Sequence, residues 1–425
     1  MATAPNGPVR IMHAAMPHRH AAVSVPERVA AMLDAALDAA AGDPLYLVGG
    51  AVRDLLRGEP GITDIDLAVE GDGAAVAKRL ASRLSGTARV TVHAAFGTST
   101  VRWEDMRVDL ARTRSETYAR PGALPAVEPA GIEADLLRRD FTVNAIGLQL
   151  GNGDTLLDPA GGRADLERRR IRVLHAESFR DDPTRVFRAA RYAARLGFEL
   201  DPETEELALA AVRDGLVAHL SGSRVRAELA ALLCEPAAGG AIGRLSALEG
   251  CRAVWPGLDC GPDAQELLDR VEELRERYSP RTPAWRAGLV VLAQSLPDAD
   301  LPLLAHRLVL RRRDAATLRA AVPAPAPEAG ASPAAVAEAF SSRPVEAALV
   351  AAARGSAAAE SYLGHLRGVR LSIDGSVLRE ELGLEESPRV GEVLRELLRR
   401  KRNGELEGRE AELAAARELL AGSGG

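Results

Sequence analysis

One stretch decides how the first part of this chain folds: Leu47-Val48-Gly49-Gly50-Ala51-Val52-Arg53-Asp54. The short apolar run Leu45 to Val48 predicts a buried strand that ends at a glycine pair. Gly49 and Gly50 allow the backbone to turn sharply and to approach a ligand closely, because a Cβ would intrude there. Ala51 to Leu56 has the composition of a helix, so the pattern predicts strand, tight turn and helix in succession.

The helix N-terminus after the glycine pair favours an anionic ligand. Its free N–H groups and its dipole attract groups such as a triphosphate. Arg53, one helical turn further, would add a charge-assisted hydrogen bond to the same phosphate. We therefore expect Gly49, Gly50 and Arg53 to bind phosphate, with an ordinary glycine loop as the alternative.

Two carboxylates, Asp64 and Asp66, follow in an apparent strand that continues to Val69. Side chains two apart in a strand lie on the same face. Carboxylates held together in this way favour a cation, and Mg²⁺ prefers oxygen ligands together with substrate phosphates. Asp109 lies in a second strand-like run, Met106 to Ala111, and a neighbouring strand would direct it at the same ions. The three acids suit two-metal phosphoryl transfer; solvated surface acids are the alternative.

Further motifs follow in order and give the chain a resemblance to a known family. They are Arg138 to Ala145, Asp158 to Arg172, Asp181 to Arg185, the helical stretch Arg188 to Phe198, and Arg224 with Glu228. Together with the first motif they resemble the bacterial tRNA nucleotidyltransferase and poly(A) polymerase family, in the class with a polymerase-β-like head. The ordered motifs cover roughly residues 45 to 235.

The resemblance implies an α+β fold: a polymerase-β-like nucleotidyltransferase head with a small mixed sheet, followed by an all-helical neck, body and tail. Helical patterns after Gly162 agree with this, and the proline- and alanine-rich segment Val322 to Pro333 predicts a linker. We expect five regions: a disordered N-terminal tail over 1–25, the catalytic head over 26–160, a base-selecting neck over 161–235, the body over 236–330 and a tRNA-binding tail over 331–425.

The motif Arg138 to Ala145 offers contacts to phosphate and ribose. Two adjacent guanidinium groups cannot both be buried, but those of Arg138 and Arg139 could clamp a triphosphate in a bidentate manner. Asp140 and Asn144, four apart, would share a helical face and could hold a ribose hydroxyl. A helix N-cap at Asp140 with solvated arginines is the alternative, and the resemblance favours the nucleotide contacts.

Asp182 and Arg185 are three apart on a predicted helix that starts at Pro183. A carboxylate can accept from the exocyclic amine of cytosine or adenine while a guanidinium donates to the adjacent ring acceptor. Guanine and uracil would leave these groups unpaired. In the family the matching pair is an amino-acid template for incoming CTP or ATP, and the resemblance implies that role here. The resemblance also implies nucleotide contact by Arg188 and Arg191. For Asp182 and Arg185, a salt bridge on a surface helix is the alternative.

Composition limits the kinds of partner. The net charge of −6 argues against a generally basic surface, although the cations are almost wholly arginine, the better phosphate fork. Arginine-rich stretches at 168–170, 311–313 and 399–402 could contact RNA, with solvated helix faces as the alternative. Three cysteines form neither a disulfide framework nor a zinc set, which indicates a reduced, cytoplasmic setting. The sequence contains no run of about 18 apolar residues, so it predicts no membrane-spanning helix. Nothing in the sequence indicates an oligomeric state.

The resemblance also implies the reaction. Mg²⁺ held by Asp64, Asp66 and Asp109 would activate the 3′-hydroxyl of a tRNA for attack on CTP or ATP, with release of pyrophosphate. Poly(A) polymerases of the family carry a basic stretch where this chain has Phe96-Gly97-Thr98-Ser99, and CC-adding enzymes lack the flexible loop that we assign to Ser115 to Ile132. We expect CCA addition, with A addition as the main alternative and a catalytically silent RNA-binding protein as the alternative of another class.

Overall fold

The computed structural model describes residues 25–59, 61–84, 88–93, 97–151, 155–328, 330–385 and 387–421. The chain forms two compact units. The first unit ends at Ala176 and omits Arg120–Ala123, which group with the residues from Glu177 onward in the second unit. Residues 1–24 of the predicted N-terminal tail and Phe96 lie outside the described residues. The boundaries expected between head, neck, body and tail remain predictions.

The first unit is built on a mixed sheet of seven strands, which confirms the expected mixed-sheet head. The spatial order is β3-β4-β5-β2-β1-β8-β9, and β2 pairs with β5 in parallel while the other neighbouring pairs are antiparallel. The strands of this unit are β1 Leu45–Val48, β2 Asp64–Val69, β3 Arg89–His93, β4 Thr98–Trp103, β5 Met106–Arg112, β6 Arg114–Thr117, β7 Ala126–Pro129, β8 Gly147–Gln149, β9 Thr155–Leu157 and β10 Arg170–Ile171.

Helices of the first unit cover both sides of this sheet. They are α1 Glu27–Ala40, α2 Gly50–Leu56, α3 Gly73–Arg83, α4 Ile132–Leu137 and α5 Gly162–Arg168, with a short 3-10 turn at Thr142–Asn144. The core joins Met32 and Leu33 of α1 and Leu80 of α3 to Leu47 and Ile65 of the central strands, all nearly inaccessible to water. In β2 Ile65, Leu67 and Val69 face this core, as the two-residue period of a strand requires. The two aspartates and Ala68 lie on the opposite face, where Ala68 packs with Leu136 of α4.

The second unit is almost entirely helical within the described residues; its strand is the two-residue β11, Glu199–Leu200. Its α-helices are α6 Ser178–Asp181, α7 Thr184–Leu196, α8 Pro202–Arg213, α9 Gly222–Leu233, α10 Ala238–Ala247, α11 Gly250–Val254, α12 Pro262–Tyr278, α13 Ala284–Leu292, α14 Asp300–Arg307, α15 Arg312–Ala321, α16 Pro333–Ser341, α17 Val345–Ala353, α18 Ala357–Gly364, α19 Gly375–Leu382, α20 Pro388–Arg402 and α21 Gly408–Ala421, with 3-10 turns at Leu216–His219 and Leu366–Gly368. The predicted linker matches the connection between α15 and α16. In the described part of the chain no helix has the length and hydrophobicity needed to cross a membrane.

The last three helices share a small core of their own. Ile373, Leu378, Leu397 and Leu413 are buried together there. Glu412 of α21 is buried beneath them and accepts hydrogen bonds from the backbone N–H groups of residues 372 and 373. Such a buried carboxylate is stabilised because it also pairs with the ammonium group of a lysine on α20.

The segment Ser115 to Ile132, which the sequence predicts to be a flexible loop, contains two paired strands joined by residues 118–125. Much of it is an antiparallel hairpin in which β6 pairs with β7. The prolines that suggested a loop lie outside the central ladder, and Pro129 ends an edge strand, where a missing N–H is tolerated. Glu116 on β6 is held by Arg114 and Arg138, so charge pairing fixes the first strand.

Candidate active site

Asp64, Asp66 and Asp109 come from the two parallel strands of the sheet. The register of β2 and β5 places Asp66 directly beside Asp109, and Asp64 lies on the same face of β2. Asp66 is exposed to solvent, although neighbouring groups displace part of the water around its carboxyl group. This partial removal from water raises the pKa of Asp66, and the charges of Asp109 and Asp64 raise it further, while the Arg139 guanidinium is the main opposing effect. Negative charge is therefore concentrated at this edge.

Asp109 has protein partners that the sequence analysis missed. Thr100 on β4 donates a hydrogen bond of 2.6 Å to its Oδ1. Arg107, two residues earlier on the same strand, lies 2.7 Å from its Oδ2. The Arg-x-Asp spacing could have revealed this pair, because both side chains project from one face of β5. No group of three or more His, Cys, Asp or Glu side chains within the described ranges forms a set that could hold a metal ion.

The chemistry of the three acids nevertheless fits a hard divalent cation. Carboxylate oxygens are the ligands such ions prefer. Loss of surrounding water is the main cause of the raised pKa of Asp66, and the charges of Asp109 and Asp64 add a smaller repulsion that a cation would relieve. Arg107 neutralises Asp109 in part, which leaves Asp64 and Asp66 as the least compensated members.

The glycine turn brings Arg139 to the same place. Gly49 has φ +73° and ψ −134°, a backbone conformation that favours glycine. A Cβ on Gly49 would lie only 2.6 Å from Nη1 of Arg139 and 3.7 Å from Oδ2 of Asp66. A Cβ on Gly50 would lie 3.4 Å from Nη2 of Arg53. The predicted strand, turn and helix are confirmed as β1, Gly49 and α2, and the absent side chain of Gly49 is what lets Arg139 approach Asp66.

Arg53, Asn144 and Asp140 form a connected, buried group. Arg53 donates from Nη1 to Oδ1 of Asn144 at 2.7 Å, and it pairs with Asp54 through Nε and Nη2. Asn144 in turn donates from Nδ2 to Oδ1 of Asp140 at 3.1 Å. The expected helical face is wrong, because Asn144 lies in a single 3-10 turn that follows extended backbone at Phe141. The structure still brings the three predicted residues together.

The two adjacent arginines of this motif differ in their contacts. Both side chains are about one-fifth exposed and neither is fully buried, as expected for two adjacent guanidinium groups. The buried Asp135 accepts from Arg138 at 2.7 Å and from Arg139 at 3.2 Å, and Glu116 also pairs with Arg138. The Nε atom of Arg139 is buried and has no hydrogen-bond partner. Arg139 therefore keeps unused donor capacity beside Asp66, whereas Arg138 is committed to its carboxylate partners.

A second group of predicted residues lies in the second unit, around the start of α7. Oδ1 of Asp182 accepts hydrogen bonds from Thr184 and from Nη2 of Arg224. Arg185 is buried and donates from Nη1 to Oγ of Ser178 at 2.6 Å. The predicted helix is confirmed, since α7 follows Pro183 and carries Arg185 in its first turn.

Arg188 and Arg191 flank the ring of Tyr192 on the same helix. Their guanidinium carbons lie 5.5 and 5.1 Å from the ring centroid, within the range of cation–π attraction. Nη2 of Arg188 also donates to the hydroxyl of Tyr192 at 3.3 Å. The Nε atom of Arg191 is buried without a hydrogen-bond partner, although Glu228 lies 3.9 Å from its Nη2.

The fold of the first unit is that of a nucleotidyltransferase head, and residues 45–172 match the Poly A polymerase head domain. An A-adding tRNA nucleotidyltransferase from Geobacter sulfurreducens is 42% identical over 264 residues, which are 60% of this chain and 30% of the relative. This chain thus spans less than a third of that relative. A CC-adding tRNA nucleotidyltransferase from the same organism is 32% identical over 83% of this chain and 86% of its own length.

Solved structures agree with the sequence relatives. A CCA-adding enzyme in complex with CTP has 28% sequence identity and a TM-score of 0.76, and the match covers 95% of this chain and 97% of that one. The chain belongs to the tRNA nucleotidyltransferase and poly(A) polymerase family.

Proposed function

We propose that this protein is a template-independent tRNA nucleotidyltransferase that transfers nucleotides from CTP and ATP to the 3′ end of tRNA and releases pyrophosphate. One observation carries the proposal: Asp64 and the register-paired Asp66 and Asp109 lie beside Arg139, whose guanidinium has unused donor capacity. Acids that attract a divalent cation and an arginine that attracts phosphate are the two requirements for binding a nucleoside triphosphate with its metal. The relatives named as A-adding and CC-adding enzymes support the same substrate class.

The acids and the arginine have separate roles in this proposal. Asp64, Asp66 and Asp109 would hold Mg²⁺, which when bound supplies charge neutralisation and a lowered pKa for the attacking hydroxyl. Arg139, for which Gly49 leaves room, would bind the triphosphate together with Gly50. The connected group of Arg53, Asp140 and Asn144 would keep the glycine turn rigid and offer polar groups to the ribose.

Base selection is assigned to residues of the second unit. Asp182 would accept from the exocyclic amine of cytosine or adenine, and Arg185 would donate to the neighbouring ring acceptor. Arg188 and Arg191 would add positive charge and, with Tyr192, a planar surface for nucleotide contact. Uracil and guanine present a carbonyl where cytosine and adenine present an amine, so they would leave Asp182 without a donor.

The tail is proposed to bind tRNA, with less free positive charge than its sequence suggests. Arg399 and Arg400 both pair with Glu396. The hydrogen bond from Arg399 lowers the pKa of Glu396 to about 2, so this acid stays ionised at neutral pH. Lys401 pairs with the buried Glu412. RNA contact by this helix would therefore compete with existing ion pairs.

The cytoplasmic setting remains a prediction from the use of cysteine in the sequence.

We propose addition of the full CCA sequence as the activity. The 28% identical CCA-adding enzyme in complex with CTP matches nearly the whole chain, which supports this assignment. Addition of A alone is the second candidate, favoured by the 42% identity to an A-adding enzyme over 264 residues.

The test is incorporation of labelled CTP and ATP, separately and together, into tRNA transcripts that end before CCA, after C and after CC. Extension of all three to CCA is expected, whereas A added only to the CC end would establish the second candidate. The variant Asp64→Asn with Asp66→Asn should lose incorporation, and Glu104→Gln, an exposed acid paired with Arg28, is its control. If the wild-type protein incorporates nothing but binds tRNA, the silent RNA-binding alternative replaces the proposal.

A further inference from the structure

The carboxylate of Asp182 is held through only one of its oxygens. Oδ1 accepts from the backbone N–H of Thr184 at 2.9 Å, from Oγ1 of Thr184 at 2.7 Å and from Nη2 of Arg224 at 2.7 Å. In the described part of the chain none of the hydrogen bonds to this carboxylate goes to Oδ2. Because an ionised carboxylate offers about two acceptor sites on each oxygen, three donors saturate Oδ1 and leave Oδ2 as the accepting atom.

Arg224 is itself fixed by a second contact. It lies in the first turn of α9, and its Nη1 donates to the backbone carbonyl of Gly122 at 2.8 Å, within the same unit. Gly122 has φ +70°, and a Cβ there would lie 3.3 Å from the carbonyl oxygen of His219, so this carbonyl is held in a closely packed position. The guanidinium therefore spans two fixed acceptors with its two terminal nitrogens, a geometry that a lysine ammonium cannot reproduce.

Thr184 completes the clamp from the opposite side along the chain. Its N–H and hydroxyl both donate to Oδ1, as in an Asx turn, where an Asp side chain accepts from the backbone N–H two residues further on. The side chain of Asp182 is 21% exposed and that of Arg224 is 24% exposed, so the pair is accessible to a ligand but mostly shielded from water.

We propose that Arg224 is a positioning residue that sets which bases Asp182 accepts, by occupying Oδ1 and presenting Oδ2 alone. This inference rests on the proposed function. With Oδ2 as a fixed acceptor, the site takes an exocyclic amine, which cytosine and adenine carry, and rejects the O4 or O6 carbonyl of uracil and guanine. Without Arg224 the carboxylate can turn about its χ2 bond, and its second oxygen and a water molecule can then adapt to a carbonyl.

The experiment measures kcat and KM for CTP, ATP, UTP and GTP in single-nucleotide incorporation by the full-length protein. Arg224→Gln should lower kcat/KM for CTP and ATP by about tenfold to a hundredfold, the range for losing a hydrogen bond to a charged group. The preference for CTP and ATP over UTP and GTP should narrow by a similar factor. Arg224→Lys keeps the charge but reaches only one acceptor, so its kcat/KM and its base preference should lie between those of the wild type and of Arg224→Gln.

Arg226→Gln is the matched control. This arginine lies two residues further along the same helix and donates to the backbone carbonyls of Leu308 and Val309 rather than to Asp182. It should leave base preference unchanged. If Arg224→Gln is poorly folded, Thr184→Val removes one of the three donors to Oδ1 and should narrow the preference to a smaller extent.

A purely structural role for Arg224 gives a different pattern. All four nucleotides would then lose the same factor with their ratios unchanged, and that result overturns the inference. Equilibrium binding of CTP and UTP to wild type and Arg224→Gln is measured in parallel. If the wild-type protein shows no incorporation, the proposed function fails, and the binding ratio then decides the inference: a narrowed CTP preference in the variant supports it, and an unchanged ratio refutes it.

Discussion

Replacing Gly49 with alanine would place a methyl group where the Arg139 guanidinium now lies. The new Cβ would be 2.6 Å from Nη1 of Arg139 and 3.7 Å from Oδ2 of Asp66. The backbone at φ +73° and ψ −134° is also unfavourable for alanine, with a strain on the order of 1–3 kcal/mol. Since Nη1 is the end of a flexible side chain, the guanidinium will move away rather than the backbone.

The size of the catalytic effect follows from what Arg139 would lose. A hydrogen bond to a charged group contributes about 1.5–3 kcal/mol. At about 1.4 kcal/mol for each factor of ten, Gly49→Ala should lower kcat/KM for the nucleotide by roughly 10- to 100-fold. The melting temperature should fall by about 2–4 °C for each kcal/mol of backbone strain.

Gly197→Ala separates strain from displacement of the guanidinium. Gly197 has φ +66°, but a Cβ there meets nothing within 4 Å, so alanine should lower stability by about 1 kcal/mol and leave activity intact. The assay is steady-state incorporation combined with thermal unfolding of both variants. Wild-type kcat/KM in a folded Gly49→Ala protein, or an equal loss of activity in Gly197→Ala, would refute the reasoning.

Three further predictions concern the same chain. Because the pKa of Asp66 is raised in the folded protein, its contribution to stability is present below the ordinary value near 3.8 and is lost as the pH rises through the folded value. In EDTA at pH 7, Asp66→Asn should therefore melt no lower than wild type, with the difference vanishing in acid; a lower melting temperature at pH 7 contradicts this. Gly162→Ala should cost about 3 kcal/mol or more in urea unfolding, since its Cβ would lie 2.1 Å from the carbonyl oxygen of Thr142, and a loss below 1 kcal/mol would disprove the overlap. Cys251 and Cys260 are buried, and a hydrogen bond to Cys260 together with burial raises the pKa of Cys251. A thiol reagent should therefore label one cysteine per native chain and three cysteines in denaturant. Rapid labelling of all three in the native protein would contradict the buried placement.

Patterns within one element could be read from the sequence. The apolar run before the glycine pair identified β1, and helical periodicity located α7, α8, α9 and α12 to within a few residues. The two-residue period of β2 placed Asp64 and Asp66 on one face. These features depend on neighbours along the chain, so local physical chemistry determines them.

Contacts between distant segments were not recoverable in the same way. The pairing of β6 with β7 stabilises a hairpin where prolines and glycine indicated a loop. Asp135 and Glu116 pair with the adjacent arginines and hold both side chains at partly buried positions. Whether a charged side chain is solvated, buried or paired depends on which strand or helix lies opposite, and the spacing of a single motif does not contain that information.

The grouping of Arg120–Ala123 with the residues from Glu177 onward has a consequence for dissecting the molecule. The second unit is not encoded by one uninterrupted piece of the gene, because part of it lies within the sequence of the first unit. A C-terminal fragment cut at Glu177 would lack the Gly122 carbonyl to which Arg224 donates. Such a fragment would leave that guanidinium nitrogen to water, so a single proteolytic cut cannot release this unit with all its native hydrogen bonds.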